Sequence, residues 1–159
     1  MQQNTYNKWL EIDLNAVINN LTSIRSLLKE QVKLIAVLKA NAYGYGAVAV
    51  ANVLANQGVE YFAVSHLEEA LGLRKAGINA NILLFIPLIN EGQLAEAVLN
   101  DITLTVASLY HGLLIDKVSR KIRRIVTVHL KIDTGLGRFG IDNGEIIQLA
   151  KMLADNPYI

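Results

Sequence analysis

Lys39, Tyr43, Gly44 and Gly46 are the residues whose types and spacing most directly suggest chemistry. A lysine attacks a carbonyl only as the neutral amine, and with a reference pKa near 10.4 roughly one in a few thousand is neutral at pH 7. Desolvation at the mouth of an apolar pocket disfavours the ammonium and so prepares a lysine for Schiff-base formation. Gly44 and Gly46 open backbone conformations closed to other residues, and they lead into the helix-like stretch Ala47–Leu54. A glycine-bearing loop running into a helix start presents N–H groups to an anion, and Tyr43 adds a hydroxyl donor. An amine for an aldehyde and donors for a phosphate, in one loop, suit pyridoxal 5′-phosphate. The competing reading of the same residues is a solvated lysine leaving a strand beside an ordinary glycine turn.

A second constellation lies further along. Alternation through Val126–Asp133 puts Val126, Val128, Leu130 and Ile132 on one face and Thr127, His129, Lys131 and Asp133 on the other. An edge strand with a wet face reads this way, and so does a barrel strand whose polar face points into the interior. Arg138 follows within a few residues, on the glycine-rich stretch Gly135–Gly140. Buried charges need partners, and an ordinary Lys131–Asp133 pair or an Arg138–Asp133 brace would supply them.

These residues need a scaffold, and the sequence supplies one in repeating units. Leu14, Val17, Ile18, Leu21, Ile24 and Leu28 recur at helical spacing behind Asp13, a suitable amino-terminal cap. Strand-like stretches follow at 33–38, 61–64, 82–85, 104–106 and 125–132. They alternate with helix-like stretches at 47–56, 67–76, 91–99, 109–119 and 144–153. About five βα units with short connections imply a parallel sheet with right-handed crossovers. The pattern fits an open doubly wound sheet or part of a (β/α)8 barrel, and Lys39 stands where such folds keep their chemistry, at a strand's carboxy-terminal end.

The segment Lys39-Ala40-Asn41-Ala42-Tyr43-Gly44-Tyr45-Gly46 closely resembles the cofactor-lysine motif of the alanine racemases, K-A-[DN]-A-Y-G-x-G. The stretch from His129 to Gly140 resembles that family's other amino-terminal signature, and weaker similarity runs through Trp9–Leu14 and Val64–Ala70. The resemblance chooses the barrel. It implies a partial TIM-type (β/α)8 barrel truncated at its carboxy-terminal end, in which residues 1–159 form the amino-terminal portion of the pyridoxal-phosphate-binding domain and a carboxy-terminal β domain is absent. It implies a racemase that interconverts L-alanine and D-alanine through a pyridoxal phosphate aldimine, supplies D-alanine for the cell wall, and acts as a head-to-tail homodimer.

On the same resemblance Lys39 carries the cofactor and serves one face of the substrate, while Tyr43 contributes to cofactor binding. Arg138 corresponds to the arginine beside the cofactor's phenolic oxygen and the substrate carboxylate, where a planar guanidinium suits oxygen acceptors. Lys131 matches a position where the amine is often carbamylated, which would turn a cation into an anion able to hold Arg138. The second base, a tyrosine of the partner subunit's carboxy-terminal domain, lies outside these residues, so little activity is expected of the 159-residue piece alone. The alternatives are a serine or broad-specificity amino-acid racemase, and a non-catalytic partial-barrel module. The single-domain cofactor-homeostasis protein of similar fold has a differently worded lysine segment.

Composition narrows the function further. A net charge of +1 without runs of like charge offers no field for nucleic acid or an anionic membrane. The absence of cysteine excludes disulfides and thiolate metal sites, and no histidine–carboxylate cluster has metal-ligand spacing. The amino terminus shows no leader pattern and no segment is apolar enough to span a bilayer, so a cytoplasmic location is expected. With 52% hydrophobic and 18% charged residues, part of the apolar surface is expected to meet a partner. His66 and His111 read as surface or capping residues, Tyr45 and Tyr61 as packing or interface aromatics, and Trp9 as core.

Overall fold

The computed structural model describes residues 8–142 and 144–159. The amino-terminal residues read for a leader pattern, 1–5, lie outside the described residues. The parallel sheet runs β1 (Ile35–Val37), β2 (Tyr61–Val64), β3 (Asn81–Leu84), β4 (Ile102–Val106) and β5 (Val128–Leu130), and its five strands lie in sequence order. Helices α3 (Ala47–Asn56), α4 (Leu67–Lys75), α5 (Glu91–Leu99) and α6 (Leu109–Ile122) connect successive strands, α1 (Leu14–Ser26) precedes them and α7 (Ile146–Ala154) follows. This is the partial (β/α)8 barrel that the sequence predicts.

Register decides what each face of the sheet presents. Parallel pairing aligns Ala36 with Phe62, Phe62 with Ile82, Ile82 with Ile102, and Leu104 with Val128, on the face that meets the helices. Phe62, Val64, Ile82, Leu84, Leu104 and Val106 of this face are buried and form the core with Leu54, Leu73, Leu94, Val98, Ile115 and Leu149 from the helices. The opposite, concave face carries Ile35 and Val37, each more than a third exposed, then Ala63, Leu83 and Thr105. Because side chains alternate along a strand, Thr127 and His129 join that concave face, His129 in register with Thr105.

Local chemistry accounts for the helix starts. Asp13 caps α1 by accepting the N–H groups of Asn15 at 2.8 Å and Ala16 at 3.3 Å. Asn90 caps α5 in the same way, through Gly92 at 2.8 Å and Gln93 at 3.1 Å. The periodic residues of α1 are less buried than their spacing suggests: Leu21 alone among them is fully covered, and Leu28 lies past the helix end. Trp9 is a correction, since it is exposed and its indole N–H donates to Glu11 at 2.9 Å. It lies ahead of α1, where no second layer covers it.

The fifth strand is shorter than its hydrophobic pattern. Ile125 is exposed, and after the Lys131 N–H donates to the Val106 carbonyl at 2.8 Å the chain leaves β4 and pairs with its own return, Ile132 bridging Ile141. The Ile141 N–H donates to the Lys131 carbonyl at 2.7 Å and the Asp133 N–H to the Ile141 carbonyl at 3.2 Å, closing the loop that carries Arg138. Gly140, at φ +143°, makes that closure possible, because a Cβ there would stand 2.5 Å from the Asp133 nitrogen.

Gly140→Ala should therefore destabilise the chain by about 1–3 kcal/mol, the usual cost of forcing atoms into filled space. Gly72→Ala, on an open face of α4 with no atom near its added Cβ, should stabilise it by about 0.5–1 kcal/mol. Urea midpoints for both variants check the contrast; equal effects would contradict the tight closure at Gly140.

Candidate active site

The site begins where β1 ends. Leu38, buried, donates its N–H to the Ala63 carbonyl at 2.8 Å, and Lys39 follows, half-buried. From Ala40 the backbone turns left-handed for four successive non-glycine residues, Ala40, Asn41, Ala42 and Tyr43, with φ between 51° and 54°. L-residues pay about 1–2 kcal/mol each for that hand, and normally visit it singly. The result is a short helical turn, α2 (Lys39–Tyr43), with Ala42 N–H bonded to Leu38 O at 2.8 Å and Gly44 N–H to Ala40 O at 3.0 Å.

The sequence places the unusual backbone at the two glycines. It is there too, at Gly44 (φ +90°) and Gly46 (φ +89°), but the larger departure lies ahead of them. The expectation of free donors in this loop is corrected for residues 44–47. Gly44, Tyr45 and Gly46 donate their N–H groups to carbonyls of the turn, and Ala47 donates to Asn41 Oδ1 at 2.8 Å. The loop spends these donors on its own fold, so they cradle no anion as placed.

Lys39 opens on a cavity of about 530 Å³ at the carboxy-terminal ends of the strands, with Ser65, Thr105, His129, Lys131 and Arg138 on its walls. Leu83, Phe85, Ile86 and Phe139 make the rest of the wall largely apolar. The polar face of β5 thus points into the concavity, as the barrel reading requires. A smaller hollow of about 320 Å³ lies at the other end of the strands, beside Lys33 and Tyr61. Two of its cations are engaged: Lys33 donates to the Tyr61 hydroxyl at 3.1 Å, which raises the Lys33 pKa, and Arg25 binds the Gln57 and Gly58 carbonyls.

Electrostatics separate the cavity from its surroundings. Lys39, Lys131 and Arg138 all face it, and among the described residues none has a carboxylate within ion-pair distance. Lys131 donates to the Ile132 carbonyl at 2.8 Å, and its ammonium and the Arg138 guanidinium lie 5.4 and 5.5 Å from the Phe139 ring. Neither the Lys131–Asp133 pair nor the Arg138–Asp133 brace forms. Asp133 Oδ1 instead accepts the N–H groups of Gly137 at 3.1 Å and Gly135 at 3.0 Å, and these bonds hold its carboxyl below the usual carboxylate range.

Tyr43 stands next to Lys39, with the ammonium 5.9 Å from its ring, but it is largely exposed and forms no part of the cavity wall. Tyr45 is exposed and Tyr61 half-buried. His66 sits at the amino-terminal cap of α4, as expected. His111 is half-buried, its Nδ1 2.9 Å from the Ser108 hydroxyl, and burial lowers its pKa. Sequence reasoning missed Glu69, whose carboxylate accepts the Ala40 N–H at 2.6 Å, and Thr105, buried with its hydroxyl on the Leu84 carbonyl at 2.7 Å. The acidic residue three places after a helix cap was the available signal for Glu69.

An amine beside apolar walls and further cations suits a ring-bearing aldehyde with anionic substituents, so the wall residues fit pyridoxal phosphate although the N–H groups of residues 44–47 are already bonded within the loop. No metal-binding group of three or more histidine or acidic side chains occurs among the described residues, and no helix among them is long and apolar enough to cross a membrane.

Comparison with known proteins agrees with this geometry. The family described as alanine racemase, N-terminal domain, matches residues 12–159. An alanine racemase of Methanococcus maripaludis is 42% identical over 132 residues, which is 83% of this chain and 35% of that protein. The solved alanine racemase of Clostridium difficile 630 in complex with cycloserine superposes with a TM-score of 0.92 at 36% identity, covering 99% of this chain and 43% of that one. The histidine racemase of Leuconostoc mesenteroides subsp. sake superposes with a TM-score of 0.81 at 26% identity, over 91% of this chain and 39% of that one. The chain thus spans well under half the length of the relatives it matches, and with a match over nearly all of its own length it belongs to the alanine racemase amino-terminal domain family.

Proposed function

We propose that the whole protein is a pyridoxal-phosphate-dependent alanine racemase, and that residues 1–159 are the amino-terminal portion of its cofactor-binding barrel domain. The observation that carries this reading is the convergence of Lys39, Lys131 and Arg138 on one apolar-walled cavity without carboxylate partners. Three unpaired cations around a concavity call for an anionic ligand.

In this reading Lys39 supplies the amine that bonds the cofactor's aldehyde and later moves a proton at one face of the substrate Cα. The cofactor, when bound, withdraws electrons from that carbon. Arg138 orients the substrate carboxylate and the cofactor's phenolic oxygen with its fork of donors. Tyr43 offers its hydroxyl to the phosphate from the solvent side. Lys131, if carbamylated, holds Arg138 in place as an anion. Inversion needs a second base, assigned to a residue outside this chain in a head-to-tail homodimer. Cytoplasmic location and supply of D-alanine for peptidoglycan complete the proposal. A second reading keeps the chemistry and changes the substrate: a histidine racemase shares the fold, so serine or a broader set of amino acids fits the same machinery.

Incubation with pyridoxal phosphate, borohydride reduction and peptide mass spectrometry should find the adduct on Lys39, and Lys39→Ala should abolish it. Adduct spread evenly over surface lysines would favour a non-catalytic partial-barrel module. In the whole protein, Arg138→Ala should lower kcat/KM for alanine by about 100-fold, the scale of losing one positioned donor to a developing charge; an unchanged value removes Arg138 from the site. The 159-residue chain alone should form D-alanine at a negligible rate, checked by chiral chromatography, and parent-like turnover would contradict the assignment of the second base.

Acid should release the Arg138 loop. Asp133 is depressed in the folded chain, so its contribution is complete above the ordinary carboxylate value near 3.9 and is lost as pH falls through its lower folded value. The Gly135 and Gly137 amide resonances should titrate together below about pH 4, and in Asp133→Ala they should be insensitive to pH. Flat titrations in the unsubstituted chain would contradict the Asp133 clasp.

A further inference from the structure

We propose that Glu69 is a positioning residue for Lys39, its carboxylate fastening the left-handed turn that carries the amine to the end of β2. The inference rests on the cofactor role proposed for Lys39. Ala40 is the first left-handed residue after the strand, and the first N–H groups of a helical turn of either hand have no partner within the turn. Glu69 Oε1 takes the Ala40 N–H at 2.6 Å, while Oε2 takes the N–H groups of Ser65 at 2.9 Å and His66 at 3.0 Å.

The two oxygens do different jobs. Bonds to Ser65 and His66 close the start of α4, as an acidic residue at the third helical position ordinarily does. The bond to Ala40 is not needed for that, because Ala40 belongs to the preceding βα unit. One carboxylate therefore joins the carboxy-terminal ends of β1 and β2, and it does so at the residue adjoining the lysine. Burial works against its ionised form, but the three N–H bonds prevail and hold Glu69 below its usual pKa, so the charge persists at neutral pH. A negative group here also faces the positive end of α4. Ser65, tied by the same carboxylate, lines the cavity with Lys39. Loosening Ala40 would let the turn swing and carry the amine away from Arg138.

Length and charge can be separated by substitution. Glu69→Asp keeps a carboxylate on the first turn of α4 but is one methylene too short to serve both ends. Glu69→Gln keeps the length but replaces one acceptor oxygen with a donor. Glu68→Gln removes a neighbouring, exposed charge and serves as the control. Each variant of the chain is treated with pyridoxal phosphate, reduced with borohydride and mapped by mass spectrometry, and amide hydrogen exchange is followed over residues 40–46.

In both Glu69 variants the rate of adduct formation on Lys39 should fall by about tenfold, the scale of one hydrogen bond to a charged group, and exchange over 40–46 should quicken. Glu68→Gln should change neither. If Glu69→Gln does not fold, Glu69→Asp carries the test, since it retains the helix-end charge. Unchanged adduct rates, with or without faster exchange, would overturn the inference and leave Glu69 as a brace for α4. Absence of any Lys39 adduct in the unsubstituted chain would instead sink the cofactor reading, and this inference with it.

Discussion

Four consecutive L-residues held in the left-handed region, directly after the lysine, are the constraint on which the site depends. Each costs about 1–2 kcal/mol relative to the ordinary hand, so the turn persists only because its surroundings over-determine it. Leu38 is locked into the β2 ladder, Ala42 is buried, Asn41 closes on Ala47, and Ala40 is gripped by Glu69. Such strain concentrates where geometry must be fixed for chemistry. Here it sets the direction in which Lys39 leaves the sheet.

The sheet supplies the other half of the geometry. In-register parallel pairing aligns Val37, Ala63 and Leu83, two residues before Lys39, Ser65 and Phe85, and pairs Thr105 with His129 across β4 and β5. Their side chains meet over the concave face, while the convex face is sealed by helices. Charge follows the same division. The ion pairs formed by Glu91, Asp116 and Asp101 lie away from the cavity, whereas the cations that face it meet aromatic rings and a carbonyl. Two carboxylates close by, Glu69 and Asp133, are spent on backbone N–H groups. Those acids shape the turn and the loop and leave the cations without acidic partners.

Much of this was legible in the residues. Helical spacing and the Asp13 cap located α1, alternation grouped the polar residues of β5 and the family resemblance turned them inward, and two worded segments located Lys39 and Arg138. The misses share a cause: they depend on contacts between units remote in sequence. Nothing in Ala40-Asn41-Ala42-Tyr43 announces a left-handed turn, since only asparagine among them tolerates that hand well. The loop's donors looked available because a sequence does not reveal that Gly44, Tyr45 and Gly46 bond back to the turn. Hydrophobicity overextended β5 and placed Trp9 in the core. Register with β4 ends the first, and the lack of a covering layer exposes the second.

In its proposed cofactor role, Lys39 delivers a bound ring into the cavity shared with Arg138. The direct measurement is an NMR nuclear Overhauser experiment on the borohydride-reduced adduct. Contacts from the phosphopyridoxyl ring to the side chains of Leu83 and Phe139 are the predicted result. A ring on Lys39 that shows contacts only to Tyr43 or to solvent would contradict it.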